Sequence, residues 1–160
     1  MNPTGIVAQK SLSSATPRFT GGVGINSGDF SSQYTGSPAS IVVEGKTSLN
    51  VENGTTLTLV NADGTSVSFT TKASAPYTVP PFSLIGAPDI NTGTITTDNH
   101  ATIALHHAFT QAITQGTLKM SIVPAAITSH TSFQLIQNLP GSSGNTMVTV
   151  PTGVSVNSAG

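Results

Sequence analysis

Residues 97–116 read TDNHATIALHHAFTQAITQG, and the reading of this stretch decides the architecture. Ala101, Ala104, Leu105, Ala108, Phe109 and Ala112 recur at three- and four-residue spacing, the period of one helical face. Asp98 follows a threonine pair and is placed to cap the first turn, with Thr97 as the alternative cap. Gly116 stands just past the last periodic residue, where a glycine stop belongs. The same period leaves His106, His107, Thr110, Gln111 and Thr114 on the flanks and the far side. A face this rich in alanine predicts a helix, about 97–115, lying close to a flat partner. The strand-like segments on either side supply one.

Outward from the helix the chain reads as strands and loops. Thr55–Val60 and Thr65–Thr70 alternate polar and apolar residues around Asn61-Ala62-Asp63-Gly64. Asp-Gly between alternating runs predicts a hairpin, because glycine accepts the positive φ of a tight turn. Leu57 and Leu59 then share a face with Val67 and Phe69. Ile41-Val42-Val43 and Leu49-Asn50-Val51 read as short β-branched strands, and Asn91–Thr96 as a short strand entering the helix. After the helix, Leu118–Val123, Ser132–Ile136 and Thr146–Val150 are strand segments, and Pro151 and Gly153 end the last one. Ala75–Pro88 carries four prolines and reads as a crossover with Phe82, Leu84 and Ile85 tucked down. The expected fold class is α+β, mainly antiparallel β-sheet with one packed α-helix.

Residues 1–40 differ from residues 41–160, which form the expected compact domain. They are rich in glycine, serine and threonine, and Ile6, Val7, Leu12, Phe19, Ile25, Phe30 and Tyr34 occur singly. No period is sustained, so this segment cannot bury enough surface to fold alone. It is expected to be an extended arm whose isolated apolar side chains are partner-binding anchors in pockets of neighbouring subunits. The competing reading is a disordered tail, which would carry fewer anchors and more charge.

Composition bounds the surface. Charged residues make up 7% of the 160, against roughly a quarter in ordinary soluble domains, and the net charge is −1. Serine and threonine exceed a quarter of the chain. Such a surface suits burial against copies of itself or a partner, the alternative being a hydroxyl-rich extracellular β-protein. Lys10, Arg18, Lys46, Lys72 and Lys119 are scattered, so no phosphate-neutralising patch forms and nucleic acid is not an expected partner. No apolar run approaches a membrane span, and the first residues lack the apolar core of a secretion signal, so the chain is expected to be made and kept in a cytosol, or assembled there. Cysteine is absent, which excludes disulfides and thiolate metal sites.

Catalytic constellations fail on spacing. His100, His106, His107 and His130 include no pair four residues apart, and Asp98 is the only acid on the helix, so no metal or other cofactor is expected. These histidines read as a solvated or interface face, with a pH-sensitive contact through His106 or His107 as the functional alternative. No serine lies in a nucleophile elbow, and the six acids are dispersed. Gly21-Gly22-Val23-Gly24 lacks the lysine and following helix of a phosphate loop. Asn53-Gly54-Thr55 matches a glycosylation sequon but reads as a turn. The chain is not expected to be an enzyme.

The order of elements over residues 54–151 resembles a small module of bacteriophage virion proteins. It is carried by NADGTSVSF at 61–69, a helix ending AITQG at 112–116, SFQLIQ at 132–137 and PGSSGNTMVTV at 140–150. Gly64, Gly144 and Asn145 carry over as turn formers, whereas the paired histidines in the helix depart from the pattern. The resemblance implies a structural role in a virion. The first expectation is a capsid decoration (cement) protein that bridges subunits of the major capsid protein and self-associates, as a trimer at a lattice axis. A tail or neck ring component is the alternative. A carbohydrate-binding adhesin or fibre module is a second, weakened by the absence of tryptophan and the wide separation of Tyr34 and Tyr77.

Overall fold

The computed structural model describes residues 17–22, 36–73, 89–93 and 95–158. Two sheets and one helix share a single hydrophobic core, so the α+β class holds. The strands are β1 (Pro38–Gly45), β2 (Thr56–Val60), β3 (Ser66–Lys72), β4 (Asp89–Asn91), β5 (Met120–Val123), β6 (Phe133–Pro140) and β7 (Val154–Ser158). The helix, α1, spans Asp98–Thr114. One sheet has the order β5-β6-β1-β7 and is antiparallel throughout; the other has the order β2-β3-β4, with β3 and β4 parallel.

The hairpin forms in the register its alternation predicts. Leu57 faces Phe69 and Leu59 faces Val67, all four are buried, and Gly64 takes φ 89° in the turn. The helix face also holds: Ala101, Ala104, Leu105, Ala108, Phe109 and Ala112 are all buried. Thr97, not Asp98, is the cap, its side chain accepting from the His100 amide at 3.1 Å. Asp98 begins the helix and turns its carboxylate to Thr47, taking the amide at 2.6 Å and the hydroxyl at 2.7 Å. Those two donors hold its carboxyl below the usual aspartate range.

The flat partner of the alanine face is β1. Gly45 ends that strand directly under the helix, where an added Cβ would fall 2.5 Å from the Ala101 carbonyl carbon and 2.5 Å from the Thr102 nitrogen. The Gly45 amide donates to the Thr102 hydroxyl at 3.0 Å. From this seat Phe109 meets Phe69 of one sheet edge-on at a centroid distance of 4.9 Å, and Phe133 of the other at 5.8 Å. One aromatic ring therefore spans both sheets. The flanking strands β4 and β5 also touch the helix.

Two buried amides complete the join. Asn61 and Gln137 are 0% and 1% exposed. Asn61 Nδ2 donates to the Thr117 carbonyl at 3.0 Å, and its Oδ1 accepts from the Lys119 amide at 2.8 Å. Gln137 Nε2 donates to the Val60 carbonyl at 2.9 Å, and its Oε1 accepts from the Ala62 amide at 3.0 Å. Asn61 thus ties the hairpin to the segment that leads from α1 into β5, and Gln137 ties it to β6, each with its polar atoms satisfied, as burial demands.

Four strand expectations are corrected. Leu49-Asn50-Val51 lies in a 3₁₀ turn, Thr47–Val51, with Leu49 buried against Gly153 and Val51 pointing out. Thr146–Val150 is not a ladder strand. It makes single bridges from Met147 to Arg18 and from Thr149 to Thr58, so it crosses between the sheets. Val154–Ser158, beyond the Pro151 and Gly153 that read as the end of the last strand, is β7: Gly153 at φ 89° turns the chain so that this segment can pair along β1. The strand expected at Asn91–Thr96 falls earlier, at Asp89–Asn91. The proline-rich crossover, with Phe82, Leu84 and Ile85, lies outside the described residues.

Gly45→Ala should cost about 1–3 kcal/mol, the usual overpacking penalty, because the new methyl group meets helix backbone and not a side chain that can swing away. Urea denaturation measures it, and an unchanged midpoint at unchanged slope contradicts the seating of α1 on β1.

Candidate functional site

Residues 17–22 are held by the domain as an added strand. β7 ends opposite Ile41, so on that edge of β1 the next outward backbone groups belong to Ser40. Thr20 takes both: its amide donates to the Ser40 carbonyl at 3.1 Å, and the Ser40 amide donates to the Thr20 carbonyl at 2.7 Å. On the other side, the Phe19 amide donates to the Thr146 carbonyl at 2.9 Å, and the Val148 amide donates to the Pro17 carbonyl at 3.0 Å. The segment thus closes a slot between the start of β1 and residues 146–148. Successive backbone groups point to opposite sides, as in any strand.

Side chains fix it in place. Phe19 is 0% exposed and belongs to the main core, flanked by half-buried Arg18 and Thr20. Arg18 reaches Met147, donating from Nη2 to its sulfur at 3.1 Å. The Asn145 amide grips the far end, its Oδ1 accepting from the Gly22 amide at 3.1 Å and its Nδ2 donating to the Gly22 carbonyl at 3.0 Å. A Cβ on Gly22 would collide with the Gly141 carbonyl, so glycine is required for this approach.

Of the anchors expected from the sequence, Phe19 fills a pocket of its own chain in this single-chain structure. Ile6, Val7, Leu12, Ile25, Phe30 and Tyr34 lie outside the described residues. Residues 17–22 and the first residues of β1 pack against residues beyond 40. Asn145 was legible only as a turn former. A side-chain amide in a Gly-Asn loop carries no sequence signal that it will clamp a distant backbone.

The histidines divide. His106, expected on the flank, is 6% exposed, because Phe133 of β6 covers that side of the helix with its ring edge-on at 5.1 Å. Its Nε2 lies 2.8 Å from the Pro124 carbonyl, which can only accept, so the neutral ring carries its proton on Nε2. Burial holds His106 below the ordinary imidazole range, with His130 adding to the effect and the Pro124 bond opposing it. Burial and His106 lower His107 likewise. A cleft of about 180 Å³ beside them is lined by Ile103, Thr110 and Ile127 as well as the two rings. His100 sits at the helix start, its Nδ1 at 2.9 Å from the Thr96 hydroxyl, and His130 is exposed. Among the described residues no three histidine or acidic side chains gather to hold a metal ion.

A second groove, about 480 Å³, runs past Thr65, Ser66, Ser68, Gln115, Thr117 and Lys119. Its Lys119 ammonium is 2.5 Å from the Asp63 carboxylate, and together with Thr65 it holds that carboxyl far below its usual range. Val67 and Gly116 also line it, and no aromatic side chain offers a platform for a sugar ring. No helix among the described residues is long and apolar enough to cross a membrane. No protein-family model, curated protein or solved structure matches this chain.

The lowered folded values of His106 and His107 set the sign of a pH effect. Unfolded imidazoles bind protons near pH 6.5, before the folded ones do, so stability is complete above about pH 6.5 and falls as pH drops through the folded values. His106→Gln removes the titration, and its unfolding midpoint should fall less between about pH 7 and pH 5 than that of the parent. Equal falls in both proteins would show that His106 is not charged differently on folding.

Proposed function

We propose that this chain is a non-enzymatic structural protein of a phage virion, a capsid decoration (cement) protein that bridges neighbouring shell subunits. The observation that carries the reading is the slot. This domain is built to receive an extended segment by backbone pairing and one buried ring, and assembly by strand addition uses the same physics. The surrounding surface agrees with it. Charge is the usual guard of an exposed sheet edge, and only 7% of this chain is charged. Val51, Val123, Leu139 and Met147 add exposed apolar contact points, at 44–75% exposure. The order of hairpin, helix and Gly-Asn loop, which resembles phage virion modules, supplies the setting. The groove beside Lys119 offers a sugar no stacking platform, which weighs against the adhesin alternative.

Copy number in purified particles, from quantitative mass spectrometry scaled to the major capsid protein, tests the proposal. A cement protein is present in numbers comparable to the shell subunits, or to the lattice axes they form. Small multiples of a ring would assign the chain to the tail or neck instead, and absence from particles would contradict a virion role.

A further inference from the structure

We propose that the Pro17–Gly22 strand is exchangeable, and that in the assembled state it fills the slot of a second copy of this chain. The inference rests on the assembly reading above and names the partner and the contact.

The contacts of the slot with the strand are ones that a neighbouring copy could supply unchanged: four backbone hydrogen bonds, the Phe19 pocket, the Arg18–Met147 contact and the Asn145 clamp on Gly22. Exchange of identical elements therefore alters no contact inside the slot, which makes it an inexpensive route to an oligomer. The strand is also separable from the rest. β1 is paired along Ile41–Gly45 by β7 and on its other side by β6, and the two sheets are joined by Phe109, Asn61 and Gln137, none of which is in the strand. Removing the strand opens one local unit without unpairing either sheet.

Chain length permits the reach. The Ser37 hydroxyl donates to the Gly21 carbonyl at 3.0 Å, so within one chain the segment leaves and re-enters the fold at nearly the same point. The connection between them includes the thirteen residues 23–35. Fully extended, thirteen residues span up to about 45 Å, enough to cross to an adjacent domain. The donated segment brings one charge, Arg18, and the slot's own residues 38–40 and 145–148 bring none, so copies are not kept apart by like charges here.

Cysteine chemistry tests this without interference, because the natural chain has none. Thr20 and Ser40 form a hydrogen-bonded antiparallel pair, whose Cα separation of about 5.5 Å suits a disulfide. The full chain carrying Thr20→Cys and Ser40→Cys would be oxidised over a range of concentrations and run on non-reducing denaturing gels, with native mass spectrometry alongside. Exchange predicts 20–40 linked dimers and higher ladders whose share rises with concentration at the expense of internally linked monomer. Mixing the two single variants should give the same 20–40 link between chains, identified by peptide mapping. Oligomers that contain only internally linked chains overturn the exchange and leave the assembly reading standing. A protein that stays monomeric throughout, with internal links alone, overturns exchange and self-association together, while copy number in particles still decides the virion role.

Discussion

The contact between the Ala101–Thr102 backbone of α1 and Gly45 of β1 is the constraint on which the rest of the structure depends. Only a glycine beneath and alanines above allow a helix to sit this close to a strand. From that position Phe109 can touch both Phe69 and Phe133, and the two sheets become walls of one core. A helix lifted by a single methyl group would lose that reach before it lost its own hydrogen bonds. The helix start is tied to the same place, through Asp98 and Thr47 on the turn that follows Gly45.

With so few charges, the chain holds its parts together by other means. Its described ion pairs, Lys46–Glu44, Lys72–Asp89 and Lys119–Asp63, are all partly exposed, where such pairs contribute little. Side-chain amides take over: buried Asn61 and Gln137 tie the hairpin to the rest of the core, and half-buried Asn145 fastens the N-terminal strand. Amides offer donors and acceptors without the desolvation cost of a buried ion. They leave the outer surface rich in hydroxyls, which neither repel a second copy nor compete strongly for a backbone.

Wherever local pattern decided the outcome, the fold could be read from the sequence. The face of α1, the Asn61–Gly64 turn and the Leu57/Leu59 against Val67/Phe69 register follow from period and turn chemistry alone. Gly45 did not stand out, because a glycine ending Val42-Val43-Glu44 looks like any strand terminator until the helix is known to lie above it. Gln137 did leave a trace: it continues the inward parity of Phe133 and Leu135, as Asn61 continues that of Leu57 and Leu59. Two amides at core parity in different strands signal a polar join. β7 was hidden by Pro151 and Gly153, which punctuate a turn as readily as an ending. The site was legible only as an arm with anchors. Phe19 was singled out, but a lone aromatic among glycines and threonines does not say whose pocket it fills, since long-range pairing decides that.

The claim at the centre of this account is that residues 17–22 are a strand of the domain and not an adjacent tail. Amide hydrogen exchange on the full chain, resolved by residue, tests it most directly. The amides of Phe19, Thr20, Ser40 and Val148 each donate to a backbone carbonyl across the slot, so all four should exchange as slowly as amides within the β1 ladder. Protection holds whether the strand comes from the same chain or a second copy. Exchange of Phe19 and Thr20 at the rate of unstructured peptide, with β1 still protected, would contradict the slot and the proposals built on it.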